Sequence, residues 1–246
     1  MNDPDTTIPL VRSLKWSFQW SAAIVLRHPV VVAAYVAGGI LWVAIGFAAP
    51  LLGGVAGLVY SLAFIPLALL THNEVLRGPS KLDAGTLGEG YGRVLGYFLD
   101  TLVLALIAIF SALVPVVVIS LLIANGEATS GVLEAILVLV LIVAVVVATS
   151  RFALRLPARA LGAPISWGEA WRLGQGNMLP LCAAPIVIAI GFALIEGMAD
   201  GLFPPLLSGL VSILAVPAQV ILTCAFLSVA YGQLMRTPKA PRPETA

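Results

Sequence analysis

The sequence predicts an all-α polytopic membrane protein with six transmembrane helices, arranged as three hairpin repeats that are each preceded by an amphipathic interfacial helix. Hydrophobic residues make up 60% of the chain and charged residues only 10%, whereas a soluble domain carries roughly 25% charged residues. All thirteen Lys and Arg residues lie in four short segments, and the apolar stretches between them are long enough to cross a bilayer. We therefore expect a single integral membrane domain over residues 1–246.

The six spans follow from the lengths of the apolar stretches and from the turn residues inside them. No charged residue separates Arg27 from Glu74 unless a histidine is protonated, and one helix of that length would overrun a hydrocarbon core of about 30 Å. Because proline and paired glycines interrupt helices, the chain is predicted to reverse at Pro50–Gly54. The predicted spans are approximately Pro29–Ala49, Val55–Thr71, Thr101–Ala124, Val132–Ser150, Leu181–Gly197 and Ser208–Tyr231.

The positions of the basic residues predict the orientation of these spans. Lys and Arg gather in the cytoplasmic loops of membrane proteins. In this chain they occur only in the N-terminal segment, the second and fourth links and the tail, so both termini are predicted to be cytoplasmic. The basic residues are Arg12, Lys15, Arg27, Arg77, Lys81, Arg93, Arg151, Arg155, Arg159, Arg172, Arg236, Lys239 and Arg242.

The N-terminus, the cysteines and the net charge each support one further prediction. The acidic start Met1–Asp5 lacks the basic region of a secretory signal, so these residues are expected to remain in the mature chain. Cys182 and Cys224 fall inside predicted spans, where a thiol behaves as a small hydrophobe, and no disulfide is expected. The formal net charge of +1 provides no field that would attract nucleic acid, so we expect no such partner.

An internal repeat appears when the chain is shifted by eighty positions, because Thr86–Tyr91 then falls on Ser166–Trp171. Each segment has a hydroxyl residue three positions before a glutamate (Glu89 and Glu169), which is the spacing of a helix capping box. Apolar residues follow on one helical face in both segments, and a weaker third copy places Val11, Leu14 and Phe18 on that face. Four of the five tryptophans lie on these amphipathic helices, namely Trp16, Trp20, Trp167 and Trp171.

The predicted repeat unit consists of an interfacial helix, an outgoing span, an outer turn, a returning span and an Arg-x-Pro stop. The units cover approximately residues 6–79, 86–157 and 166–238. Every unit begins and ends on the predicted cytoplasmic side, so these are parallel repeats and not inverted ones. The tryptophan rings are expected to rest at the level of the lipid headgroups.

A family resemblance covers the whole chain in layout, but in motif it covers only the second repeat boundary. The stretch Arg155-Leu156-Pro157-Ala158, followed by Ser166–Arg172 and Gly176, resembles the cytoplasmic link of uncharacterised six-span bacterial membrane proteins. These include the YciC-like proteins and the membrane domain attached to some glycerophosphodiester phosphodiesterases. The resemblance implies a bacterial inner membrane and no assigned catalytic residues.

Three groups of polar residues could act as sites, and each also has a structural interpretation. Asp100 is interpreted as a carboxylate at the N-terminus of span three, where the helix dipole favours negative charge, or alternatively as a proton-coupling group. Glu196 and Asp200, four residues apart, could hold a cation or form a solvated helix end. His28, His72 and Glu74 could bind zinc or be ordinary interfacial residues.

The leading functional interpretation is a non-enzymatic integral inner-membrane protein that contacts lipid or a partner protein through its cytoplasmic interfacial helices. The expected partners are membrane lipids and either a membrane protein or a second copy of the chain. Its candidate residues are Asp100, Glu89, Glu169, Trp167, Trp171 and Arg155. The alternative is a transporter or channel for an apolar or lipid-like molecule, with a pocket lined by kinks at the span prolines. No motif suggests an enzyme, a metal site or a cofactor.

Overall fold

The computed structural model describes residues 8–78, 91–124, 145–147 and 149–235, and within these ranges the chain is helical and contains no β-strand. Residues 149–152 form a short helical segment in front of α5. The helices are α1 (Leu10–Arg27), α2 (Pro29–Ala48), α3 (Pro50–Arg77), α4 (Tyr91–Ala124), α5 (Arg155–Ala160), α6 (Trp167–Leu173), α7 (Met178–Leu202) and α8 (Pro205–Leu234).

Five of the described helices, α2, α3, α4, α7 and α8, are long and apolar enough to cross a membrane. Their outer surfaces carry large apolar side chains, including Phe47, Phe110 and Ile195, which are all more than half exposed. An apolar exterior of this kind is stable in lipid and unstable in water. The predicted fourth span lies largely outside the described residues.

Helix α8 lies at the centre of the bundle, because half of its apolar span is buried and it packs against α1, α3 and α7. On one side, Phe226 packs with Leu154 and Leu181 in a fully buried cluster. On another side, Ile221 packs in a cluster with Trp20 and with other residues of α1 and α3. Small residues of α8 between these large ones allow the neighbouring helices to approach closely.

The turn between α2 and α3 is shorter than predicted. The expected reversal at Pro50–Gly54 is wrong, because Ala49 alone interrupts the helices and α3 begins at Pro50. Proline is well suited to the first position of a helix, where its missing N–H is not needed. Gly53 is helical, and its function is close packing, since a Cβ atom there would lie 3.0 Å from the Gly46 Cα atom.

Helix α4 is continuous where the sequence predicted a break between an interfacial helix and span three. Asp100 therefore lies inside a helix of 34 residues and not at a helix N-terminus, so that interpretation of Asp100 is wrong. The amphipathic start and the apolar remainder join without interruption, because no proline lies between Tyr91 and Thr101 and single glycines are tolerated in helices.

Helix α1 forms as predicted, and two of the three residues of its apolar stripe face away from the protein. Val11 and Phe18 are 81% and 58% exposed, whereas Ser13 and Ser17 on another face are fully buried against the bundle. The Ser13 hydroxyl donates a hydrogen bond to the Gln233 Oε1 atom of α8 at 3.2 Å. Leu14 of the predicted stripe packs against the bundle core, whereas Val11 and Phe18 remain open to the surroundings of the protein.

Contacts between helix ends define one end of the bundle, which we call the basic end. It comprises α1, α5, α6, the last turns of α3 and α8, and the first turns of α4 and α7, which are joined by contacts such as Ile8 to Asn177 and Arg77 to Leu161. All basic residues within the described ranges lie in these parts of the chain or, in the case of Arg151, in the segment 149–152 in front of α5. Glu196 and Asp200 lie near the opposite end of α7.

Candidate functional site

The Asp100 carboxylate lies at the centre of an ion cluster at the basic end. Its Oδ1 atom is 2.9 Å from Arg155 Nη2, and its Oδ2 atom is 3.0 Å from Arg159 Nε. Asp100 and Arg155 are both buried, whereas Arg159 is about one-quarter exposed. Gly96, one turn earlier on α4, leaves space for the second arginine, because a Cβ atom there would lie 3.0 Å from Arg159 Cδ. One carboxylate therefore neutralises two guanidinium groups only in part.

Two tryptophans cover the arginines of this region. The Arg155 Cζ atom lies 4.1 Å from the centroid of the Trp167 ring, and the Arg151 Cζ atom lies 4.3 Å from that of Trp171. Phe152 contacts both rings, each with a centroid distance of 5.4 Å. Because Trp167 and Trp171 are four residues apart on α6, they project from the same helical face. Partly desolvated cation–π pairs of this kind are stabilising and hold the guanidinium groups in place.

A capping box fixes the start of α6 and confirms the predicted pattern at Ser166 and Glu169. The Ser166 backbone N–H donates to Glu169 Oε2 at 2.6 Å, and the Glu169 backbone N–H donates to Ser166 Oγ at 3.2 Å. The backbone hydrogen bond from Ser166 is the main reason why the pKa of the Glu169 carboxyl is lowered. The matching Thr86 and Glu89 lie outside the described residues.

The positive charge of Arg151 has little negative charge near it within the described ranges. Its Nη2 atom lies 3.5 Å from the Met178 Sδ atom, a weak acceptor, and it forms no salt bridge with a carboxylate within the described ranges. The Nε atoms of Arg151 and Arg155 are both buried and have no hydrogen-bond partner among the described residues. Gly174 permits the close approach of Arg151, because a Cβ atom there would lie 2.9 Å from Arg151 Cγ.

Two further arginines flank the C-terminal end of α5. The Arg77 Nη2 atom donates to the Leu161 carbonyl oxygen at 2.6 Å. Arg93 lies over Gly162, where a Cβ atom would be 3.1 Å from Arg93 Nε, and the φ angle of 76° at Gly162 also favours glycine. Positive charge is therefore concentrated around α5.

A separate polar network joins α3, α4 and α8. His72 is fully buried, with its Nδ1 atom 2.6 Å from Ser228 Oγ and its Nε2 atom 3.0 Å from Tyr97 Oη. Because the Ser228 hydroxyl donates to the Cys224 carbonyl oxygen at 2.9 Å, we assign His72 Nδ1 as the donor to Ser228 and Nε2 as the acceptor from Tyr97. A neutral, satisfied network of this kind locks three helices together.

The predicted zinc alternative is not supported by the positions of its residues. His28 Nε2 contacts Glu74 Oε1 at 2.6 Å, and Arg27 Nη1 lies 3.4 Å from Glu74 Oε2. His72, however, belongs to the separate network on another side of α3. No group of three potential metal ligands occurs in the part of the chain that the structure describes.

The predicted site residues are thus brought together in part. Asp100, Arg155, Trp167 and Trp171 form one cluster, and Glu169 supports it through the cap of α6, whereas Glu89 lies outside the described residues. Sequence reasoning missed Arg151 and Arg159 as site residues. Both residues lie four positions from Arg155, and this spacing could have indicated that they belong to the site.

Comparisons with protein-family models, curated proteins and solved structures found no match for this chain.

Proposed function

We propose that this is a non-enzymatic integral membrane protein whose basic end lies at the cytoplasmic membrane surface and binds anionic lipid through its interfacial helices. The main supporting observation is the exposed stripe of α1, where Val11 and Phe18 lie open beside Arg12 and Lys15. An apolar strip bordered by cations is typical of helices that lie in the plane of a membrane surface. The other face of α1 packs on the bundle, so the helix is held in that position.

The geometry of α4 supports six crossings. Ala124 lies roughly 24 residues beyond Asp100 on one helix, which corresponds to about 36 Å at about 1.5 Å per residue. Arg155 nevertheless contacts Asp100, so the chain is again at the level of Asp100 when it reaches Arg155. This contact and the five long apolar helices support the proposed six spans. The arrangement as three parallel hairpins is part of the proposal.

The concentration of cations at one end supports the proposed orientation. By the positive-inside rule, the basic end faces the cytoplasm and both termini lie there. The resemblance of the Arg155–Gly176 link to six-span bacterial proteins supports a bacterial inner membrane as the proposed location. Its cytoplasmic surface carries anionic lipids, which attract each nearby Lys or Arg by about 1 kcal/mol.

The position of α1 can be tested with spin labels on two adjacent residues. Phe18→Cys and Gln19→Cys would each be made in a chain lacking Cys182 and Cys224, labelled and placed in lipid nanodiscs. We expect the label at position 18 to be accessible mainly to oxygen, which concentrates in the bilayer, and the label at position 19 mainly to a water-soluble nickel chelate. Equal, high nickel accessibility at both positions would contradict the proposal.

A transporter of an apolar or lipid-like molecule is the second candidate, because ionisable groups inside membrane helices are often functional. Asp100 and His72 are such groups in α4 and α3. Both have satisfied partners, which favours a structural role and ranks this candidate second. Reconstituted vesicles that move a lipid-like probe, with the flux lost in Asp100→Asn but folding retained, would reverse the ranking. Specific capture of a membrane protein would instead favour a protein partner.

A further inference from the structure

We infer that the basic end contains a defined binding site for the phosphate group of an anionic membrane lipid, formed by Arg151 and Arg155 beneath Trp167 and Trp171. This inference rests on the proposed function and specifies where and how the lipid is held. We call these four residues the arginine–tryptophan cradle. The site would bind one headgroup in a fixed position, in contrast to the diffuse attraction of a charged surface for many lipids.

The unpaired donors of the cradle are the first argument. An arginine carries five N–H donors and no acceptor. Arg151 has one weak sulfur partner within the described ranges, and the Nε atoms of both cradle arginines are buried without a partner there. The buried Nε atoms show that the protein itself supplies few acceptors here. Arg151 is partly exposed, and a phosphate presents several strong acceptor oxygens in a geometry that fits its guanidinium fork.

The charge balance is the second argument. Asp100 is shared between Arg155 and Arg159, and Arg151 has no carboxylate partner in the described part of the chain. The region around α5 therefore has an excess of positive charge, which Arg77 and Arg93 increase. Two of these guanidiniums, those of Arg151 and Arg155, lie against aromatic rings, which hold their charge in place. A bound anion would compensate this excess.

The surroundings of Arg151 favour a lipid over a free anion. Its guanidinium contacts Met178, the first residue of the apolar helix α7. The next residue, Leu179, is 76% exposed and Met178 is 40% exposed, so an open apolar surface begins where the cationic site ends. A molecule with a phosphate group and an acyl chain would contact both surfaces at once. A free phosphate would leave the apolar part uncovered.

The cradle is also held rigidly before any ligand arrives. Phe152 contacts both tryptophan rings, and the Ser166–Glu169 capping box fixes the start of α6. Gly174 allows Arg151 to lie against the end of α6. A preorganised site loses less conformational entropy on binding, which favours a stoichiometric complex.

Native mass spectrometry of the full-length protein in mild detergent would test the site. The probes are phosphatidylglycerol, phosphatidylcholine and inorganic phosphate, and the variants are Arg151→Gln and the exposed control Arg172→Gln. We expect the wild-type protein to bind one phosphatidylglycerol in preference to phosphatidylcholine, and Arg151→Gln to weaken this binding by about tenfold, as expected for loss of a charge-assisted contact. Arg172→Gln should stay within about twofold of wild type, because its side chain lies outside the cradle.

Several outcomes would overturn the inference. Unchanged phosphatidylglycerol binding in Arg151→Gln would remove the site, and an equal loss in Arg172→Gln would indicate diffuse electrostatic attraction. Equal protection from thermal unfolding by inorganic phosphate would show that a free anion is the ligand. Arg151→Lys, which retains the charge but not the fork, provides a second variant if the glutamine variant unfolds, and it should bind with intermediate affinity. The spin-label result on α1 is independent, so the site can fail while the proposed function stands.

Discussion

Replacing Asp100 with asparagine is predicted to destabilise the protein more than any loss of a single arginine from the same cluster. Asp100 accepts from both Arg155 and Arg159, at 2.9 Å and 3.0 Å. Coulomb's law gives about 6 kcal/mol of attraction for unit charges at 2.9 Å with an effective dielectric constant of about 20. Desolvation of the buried groups offsets much of this attraction, so the net stabilisation is far smaller.

The loss of Asp100 and the loss of Arg159 leave different groups unpaired, and this difference determines the expected losses of stability. Asp100→Asn leaves the buried Arg155 without an anionic partner in the described structure, and an unpaired buried charge costs about 3 to 5 kcal/mol. Arg159→Gln leaves the Asp100–Arg155 pair intact and removes a more exposed partner, so we expect a loss of about 1 kcal/mol. The difference of at least about 2 kcal/mol corresponds to roughly thirtyfold in the unfolding equilibrium.

The assay is reversible unfolding in mixed detergent micelles, with sodium dodecyl sulfate as the denaturant and helical circular dichroism as the signal. The double variant Asp100→Asn/Arg155→Met should recover part of the stability lost in Asp100→Asn, because it removes the stranded cation. Equal free energies of unfolding for Asp100→Asn and Arg159→Gln would refute the shared-carboxylate reasoning. Failure of the double variant to recover would refute the stranded-charge explanation.

Three further predictions concern packing, hydrogen bonding and pH. Gly53→Ala should cost about 1 to 3 kcal/mol of stability because its Cβ atom would press on backbone of α2, whereas Gly54→Ala, with nothing within 4 Å, should change stability by less than about 0.5 kcal/mol. Tyr97→Phe should lose about 1 to 2 kcal/mol with its buried hydrogen bond, and the exposed Tyr91→Phe should have no measurable effect in the same unfolding assay. The pKa of Glu169 is lowered in the folded chain, so its cap should stabilise α6 above pH 4.5, its ordinary value, and lose strength as the pH falls through the folded pKa. The protection of α6 amides from exchange, measured relative to the intrinsic exchange rate at each pH, should therefore fall with acid in wild type and not in Glu169→Gln, and identical profiles would contradict the cap.

The elements that the sequence predicted well are those determined by local chemistry. The long apolar helices follow from the absence of charge over whole stretches, which lipid requires. The capping box of α6 depends on two residues three positions apart, so its signal is complete within one turn. The concentration of Arg side chains at one end of the bundle follows from their restriction, in the sequence, to the links between apolar stretches. Of the candidate site, Arg155 and the two tryptophans were therefore identifiable.

The elements that the sequence did not predict depend on contacts between distant residues. Asp100 meets Arg155 across 55 positions of sequence, and no local pattern links the two residues. The face of α1 that packs on the bundle, which carries Ser13 and Ser17, was not predicted, and the reason is physical. In lipid, apolar residues do not mark the protein interior, and small or hydroxyl residues such as Ser13 and Ser17 pack there instead.

The turn at Ala49 and the continuity of α4 illustrate a related difficulty. Pro50 and the glycines after it have a strong turn signal in water, yet proline also begins helices, and glycines allow close packing between them. A turn and a closely packed helix start use the same residue types, so the sequence does not distinguish them. The packing of α2 against α3 shows which of the two is present.

Labelling of single cysteines with a membrane-impermeant reagent tests the orientation of the basic end most directly. Arg172→Cys and Gly201→Cys would be made in a chain lacking its two natural cysteines and probed in intact spheroplasts. The account predicts that position 201 reacts from outside and that position 172 reacts only after the membrane is permeabilised. Labelling of position 172 in intact spheroplasts, with position 201 protected, would contradict it.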